Sequence, residues 1–423
     1  MAKSKKFGTF SGVFLPSFLA IVGVIMYLRL GWIVGQAGLY NTILIVLFAC
    51  TIALITGLSI ASIATDKKIK AGGVYYILSR SLGLPMGGAI GISITLAMTF
   101  VISLNLIGFA ESFLAVDAIS NFLNLEPNLN SYRIVATVFL IILFITNFIS
   151  TSLAVKTQYF VFGGIILSFI SILLGVIFPS NPQPAMPVLY PADNGVGFMV
   201  LFAIFFPAAT GFTTGVAMSG ELKNPKKSIP LGVMGAIIAG IIVYILMALV
   251  FSFTIDRNVL LHAESPIIEL GYFSSFVLLG IWGATLSTAL GSVLGAPKTL
   301  AAIANDGVLP KFLTKTSGKT NEPRIAMILI AIIAEAGILI GDLNIIAPIV
   351  TMFFMVSYAF INLAFFLEKW SSTDFRPSFK ISKYVGLLGF LLCLFFLFEI
   401  HPLSMLLAVV VMLLIHAIIK RKN

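Results

Sequence analysis

The sequence predicts an all-α polytopic membrane protein of about twelve transmembrane helices, and three observations carry that prediction. Of its 423 residues, 59% are hydrophobic and 10% charged, where soluble domains carry roughly 25% charged residues. The apolar residues gather into charge-free runs near the ~20 residues that a helix needs to cross a bilayer. The basic residues fall on alternate connections, as they do when loops are sorted to the two faces of a membrane.

These proportions exclude a soluble enzyme, a secreted disulfide scaffold and a nucleic-acid-binding domain. A net charge of +10 belongs instead to cationic cytoplasmic loops. Cys50 and Cys393 both lie inside apolar runs, which leaves no disulfide framework and no transition-metal cluster. The N-terminal MAKSKKFGTF is not followed by a small-residue cleavage site, so the first apolar run reads as a retained helix. No carboxylate pair, Ser–His arrangement or phosphate loop is present, and His262, His401 and His416 stand apart near loops or ends. Neither enzyme chemistry nor a cofactor is expected.

Charged or Pro/Gly-rich boundaries place the spans at 12–34, 42–64, 86–115, 134–150, 158–178 and 197–219. The second six lie at 229–253, 274–301, 325–341, 345–367, 385–398 and 403–419. With a cytoplasmic N-terminus, alternation leaves only Arg29, Arg133 and Arg257 of the 26 basic residues outside. Both termini are therefore predicted to be cytoplasmic. No soluble domain remains, and residues 1–423 read as a single transmembrane domain.

Two spans are interrupted. The first, FLAIVGVIMYLRLGW, carries Gly23 at mid-membrane, and the sixth, FAIFFPAATGFTTGVAMSG, carries Pro207, Gly211 and Gly215. Any one such glycine reads most simply as a packing residue. Two broken helices five spans apart point instead to an inverted-repeat transporter with its site at the midplane. The repeats would run over about 7–178 and 195–368, followed by two further helices over about 384–419. Freed N–H groups at such breaks favour anions, and freed carbonyls favour cations.

Charges inside the spans are expensive and are expected to pair. Arg29 and Glu111 lie near the outer ends of the first and third spans, as an outer gate or as a static tie between helices. Glu335, in the ninth span, reads as a packing contact, a lipid neighbour or a proton relay. Lys156 reads as a topology anchor. In the eighth span, ATLSTALGSVLGAPK, the Ala284 carbonyl and the Ser287 and Thr288 hydroxyls share a face and suit Na⁺. The alternative is that these hydroxyls bond back to their own helix.

At these residues the sequence resembles the cation–chloride cotransporters of the amino acid–polyamine–cation superfamily. The resemblance runs through LRLGWIVGQAG, ITGLSIASIAT, AGGVYYILSRSLGLPMGGAIG, GFAES, FFPAATGFTTGVAMSGELKNPKKSIP, GATLSTALGSVLGAPKTLAAIANDGVLP, LNIIAPIV, SYAFINLAFF and FRPSFK. It covers about residues 7–383. It implies the LeuT-type fold, a five-plus-five inverted repeat with helices one and six broken and two helices added. It further implies chloride against Gly23, Val24 and Ile25, and a second chloride against Gly211, Phe212, Thr213 and Tyr358. Sodium would lie between Leu19 and Val22 carbonyls and Ala284, Ser287 and Thr288. The potassium-like or substrate site maps onto Ala20, Ile21, Asn105, Pro207 and Thr210.

Two departures matter. The family carries asparagine where this chain has Ala20, and tyrosine where it has Asn105, so two of five potassium ligands are replaced. The family's large cytoplasmic C-terminal domain is expected to be absent, as in a compact prokaryotic-type member, and a homodimer stays open. The expectation is a plasma-membrane symporter of Cl⁻ with Na⁺ in which K⁺ is dispensable, in contact with lipid and with no nucleic acid. The alternative keeps the fold and carries an amino acid or amine. An ion channel would need a continuous polar pore, which the sequence does not offer.

Overall fold

The computed structural model describes residues 7–66, 73–149, 153–179, 186–217, 222–262, 265–317, 322–400 and 402. The chain enters through a π-helical turn, Phe10–Phe14, continues as α1 (Leu15–Ile21), breaks, and resumes as α2 (Val24–Leu28). Helix α3 (Leu30–Asp66) bends at Gly38. There φ is +69°, and a Cβ would stand 2.4 Å from the Tyr190 carbonyl. Only glycine fits both demands. Next come α4 (Gly73–Ser81), α5 (Gly83–Leu114), the short α6 (Asp117–Leu123), α7 (Leu129–Ile149) and α8 (Leu153–Ile177).

The sixth span is α9 (Phe198–Phe205), a 3₁₀ turn at Phe206–Thr210, and α10 (Phe212–Ala217). Helix α11 (Pro225–Thr254) starts on a proline, whose missing N–H is an orphan at that position anyway. Short α12 (Arg257–His262) and α13 (Pro266–Leu270) lead to α14 (Ser274–Asn305). A two-residue ribbon, β1 (Thr316–Ser317) with β2 (Glu322–Pro323), precedes α15 (Arg324–Ile340), α16 (Leu343–Ser371) and α17 (Lys383–Ile400). At the start of α16, Asp342 accepts the Asn344 N–H at 2.8 Å, a side-chain N-cap.

Among the described residues, ten helical segments are long and apolar enough to cross a membrane. The protein is an all-α polytopic membrane protein. The expected ninth span appears as α15, which at 17 residues is slightly short of the others. The expected twelfth, 403–419, lies outside the described residues, as do the basic residues at 1–6 and 67–70 that bear on orientation. The expected eleventh is the full-length α17.

Burial separates the inner helices from the outer ones. The apolar window of the first span is 83% buried, and those of α5 and the sixth span are 72% buried. The windows of α7 and α17 are only 28% buried. Lipid is as apolar as a leucine side chain, so this order reflects packing and polar contacts between helices. The two broken helices therefore sit in the interior, where irregular backbone can be covered by protein.

Candidate functional site

The first break begins where α1 ends. Val22 leaves the helical region at φ −83°, ψ 63°, and Gly23 is extended at φ −112°, ψ −152°. The Ile21 carbonyl, released from its helix, accepts the Gly23 N–H at 2.9 Å and the Tyr244 hydroxyl of α11 at 2.7 Å. The sixth span is broken differently. Pro207 has no N–H to give to Ala203 four residues back, and the helix tightens into its 3₁₀ turn. The Thr351 hydroxyl of α16 reaches the Ala203 carbonyl at 2.6 Å. Each break is thus supported by a side chain from a distant helix.

The two breaks touch. A Cβ on Gly211 would lie 2.5 Å from the carbonyl carbon of Ala20 and 2.6 Å from the Ile21 nitrogen, so only glycine lets the backbones come this close. Ser17 of α1 also donates to the Phe212 carbonyl at 3.2 Å.

Between the breaks lies a cavity of about 40 Å³. At ~10–15 Å³ for each water-sized occupant, it has room for roughly three. It is lined by Ala20, Ile21, Gly23, Val24 and Ile25 from the first span, and by Pro207, Ala208, Thr210, Gly211, Thr213 and Thr214 from the sixth. Met98, Val101, Leu104 and Asn105 of α5, Thr288 and Ser292 of α14 and Phe354 of α16 complete the wall.

All five residues of the expected potassium-like site therefore meet at one place, and so do Gly23, Val24 and Ile25. Of the second expected chloride set, Gly211 and Thr213 line the cavity. Phe212 and Tyr358 stand behind it with ring centroids 5.5 Å apart, and the Tyr358 hydroxyl donates to the Thr210 carbonyl at 3.3 Å. Of the expected sodium set, Thr288 lines the cavity, whereas Leu19, Val22, Ala284 and Ser287 are not among its lining residues. Thr288 donates its hydroxyl to the Ala284 carbonyl at 2.8 Å, a bond back to its own helix. Both oxygens keep lone pairs.

Arg29 and Glu111 form an ion pair at 3.0 Å, with side chains 13% and 16% exposed. Arg29 Nε also donates to Asn344 Oδ1 at 2.9 Å, which ties the end of α2 to α5 and α16. Glu335 accepts the Thr137 hydroxyl of α7 at 2.8 Å, a contact between two outer helices. The Lys156 side chain lies outside the described residues. Deeper in, Asn362 joins Thr56 and Ser59 of α3 to the Tyr358 carbonyl, so the α16 turn that carries Tyr358 is held firmly.

Sequence reasoning does not reach Tyr244, Thr351, Asn344, Ser292 and Met98. Tyr244 and Thr351 are polar residues within apolar stretches of α11 and α16, which is the available signal, but their partners are 223 and 148 residues away.

Residues 12–423 match the amino acid permease family. Solute carrier family 12 member 1 of Mus musculus is 33% identical over 450 residues, covering 94% of this chain and 41% of that protein. Solute carrier family 12 member 2 of Homo sapiens is 32% identical, covering 96% and 38%. Solute carrier family 12 member 3 of Pseudopleuronectes americanus is 33% identical, covering 93% and 44%. The chain spans about two fifths of the length of these relatives. A permease moves solutes across the bilayer and does not transform them, which agrees with a cavity lined by spanning helices. The chain belongs to the amino acid permease family and is an integral membrane transporter, not an enzyme.

Proposed function

We propose that the protein is a secondary active symporter that carries Cl⁻ with Na⁺ by alternating access, with K⁺ dispensable. The observation that carries this reading is the small cavity where the two broken helices meet. Chloride would rest against backbone N–H groups of Gly23, Val24 and Ile25, and a second chloride against Gly211, Phe212, Thr213 and the Tyr358 hydroxyl. Sodium would take the Leu19, Val22 and Ala284 carbonyls with the Ser287 and Thr288 hydroxyls. Opposite charges bound together let the loaded carrier change state without moving net charge through hydrocarbon.

In this reading spans one to five and six to ten are the inverted repeats. Both termini face the cytoplasm of a plasma membrane, and Arg29 with Glu111 closes the outer path. The replacement of two family ligands by Ala20 and Asn105 is the reason K⁺ is not required.

The test is uptake of radiolabelled chloride into proteoliposomes with Na⁺, K⁺ or an inert cation outside. Na⁺-dependent uptake, indifferent to K⁺ and to voltage, is expected; no chloride flux under any condition sinks the proposal. A second reading, an amino-acid or amine permease using the same breaks, is favoured by the family match over residues 12–423. Screening amino acids and amines in the same vesicles separates the two.

A further inference from the structure

Tyr358 is held loosely at its tip and tightly at its root. Its ring is fully buried, with those of Phe206, Phe212 and Phe354 at centroid distances of 6.1, 5.5 and 5.6 Å. Its hydroxyl reaches the Thr210 carbonyl only at 3.3 Å, beyond the ~2.7–2.8 Å at which O–H···O bonds cluster. The proton of that weak bond is available to an anion placed beside it.

The root is held by one residue. Asn362 lies one turn further along α16 and is also fully buried. Its Nδ2 donates to the Tyr358 carbonyl at 2.9 Å and to Thr56 Oγ1 of α3 at 2.8 Å. Its Oδ1 accepts the Ser59 hydroxyl, also of α3, at 2.7 Å. Thr56 commits its own proton to the Ile52 carbonyl at 2.8 Å, so it meets the amide as an acceptor. The orientation of the amide is thereby fixed, because turning it over would set Oδ1 against the Tyr358 carbonyl and the Thr56 oxygen. Helix α17 closes the remaining space. A Cβ on Gly389 would stand 2.7 Å from Asn362 Cγ and 2.8 Å from its Nδ2, so the side chain has no room to swing away.

We propose that Asn362 is a positioning residue for the anion site at the sixth break. By tying the Tyr358 backbone to α3 it sets where the Tyr358 hydroxyl stands, and so how tightly chloride is held. The proposal rests on the chloride reading of Gly211, Phe212, Thr213 and Tyr358, and it adds a residue that is not among those lining the cavity. A hydrogen bond weakens steeply as its angle closes, and the phenol oxygen stands at the far end of a rigid ring. A small shift of the α16 turn therefore carries the hydroxyl out of line with the ion. Asn362 touches no ion itself, so its whole effect passes through that hydroxyl.

The test is a double-variant cycle read on chloride uptake into proteoliposomes. Asn362→Ala should raise the half-saturating chloride concentration about tenfold, equivalent to ~1.4 kcal/mol, and leave the maximal rate unchanged. Ser59→Ala removes one hydroxyl of the network, and should raise it about threefold, as the average hydrogen bond between membrane helices implies. Tyr358→Phe deletes the hydroxyl and keeps the backbone N–H groups of the site. Added to Tyr358→Phe, neither substitution should raise the half-saturating concentration further. A purely structural weakening of α16 acts equally with and without the hydroxyl, so additive effects overturn the proposal. A fall in maximal rate at unchanged half-saturation overturns it too. Should Asn362→Ala fail to fold, Ser59→Ala carries the same cycle. Additive effects in a protein that takes up chloride overturn this inference alone; no chloride uptake by the unaltered protein overturns the symporter reading with it.

Discussion

The breaks in the first and sixth spans meet the same difficulty, freed backbone in apolar surroundings, by opposite means. The first is opened: the chain extends through Val22 and Gly23, and the Ile21 carbonyl is shared between a local N–H and Tyr244. The sixth is tightened: Pro207 converts α-helix to a 3₁₀ turn, and Thr351 covers the Ala203 carbonyl. Opening leaves a half-helix that starts with N–H groups lacking helical partners, the arrangement that favours anions. Tightening leaves threonine oxygens, which favour cations and donors. The difference shows how one cavity presents both polarities without a charged residue in its described wall. It also shows that each break depends on helices remote in sequence, α11 for one and α16 for the other.

The largest expected effect comes from forcing the two breaks apart. In Gly211→Ala the added carbon meets the backbone of Ala20 and Ile21 at 2.5 and 2.6 Å, which cannot yield as a side-chain tip would. Overpacking costs about 1–3 kcal/mol, and we expect the upper end here, roughly a hundredfold loss of chloride uptake. Gly291→Ala is the control, because its nearest neighbour, Thr214 Cγ2, lies at an ordinary 3.6 Å. Equal uptake by the two variants would show that the contact between the breaks is incidental to transport.

The next largest effect concerns the cation side. Ser287→Ala combined with Thr288→Ala should abolish Na⁺ dependence while the protein stays folded. Alanine is the better helix former, and the Thr288 hydroxyl donates within its own helix, to Ala284. Uptake that keeps its Na⁺ dependence in this double variant would remove sodium from α14. A shift of Na⁺ affinity without loss would leave the carbonyl ligands as the main contribution.

What is legible in the sequence follows the same division between local and distant chemistry. A proline or a charge in an apolar run is conspicuous by itself, so Pro207 and the Arg29–Glu111 pair can be read from the chain alone, and Gly23 through its pairing with the second interrupted span. Gly215 falls with the sixth break by the same reasoning. It instead receives the π-helical turn and α1 closely, with Ser17 Oγ 2.4 Å and the Val13 carbonyl 2.6 Å from where its Cβ would be, which is the packing role. Thr288 stands open between ligand and back-bond in the sequence, because helix periodicity fixes a face but not the direction of a hydroxyl. Tyr244 and Thr351 cannot be assigned that way, since a lone polar residue in a membrane helix has many conceivable partners. Only the three-dimensional crossing of α11 and α16 over the breaks selects one.

The smallest expected effect tests the comparison most finely. Thr351→Val and Tyr244→Phe each delete one hydroxyl and keep the shape, so each reports how far its break depends on outside support. Hydrogen bonds between membrane helices average ~0.6 kcal/mol, with a maximum near ~1.7. Thr351→Val should lie toward the upper value, because Pro207 has no N–H to return to Ala203. Tyr244→Phe should lie near the average, because the Ile21 carbonyl keeps the Gly23 N–H at 2.9 Å. Thermal unfolding in detergent measures both. The reverse order would mean that the opened break is the one more dependent on its distant helix, and that the short turn at Gly23 does little to satisfy the Ile21 carbonyl.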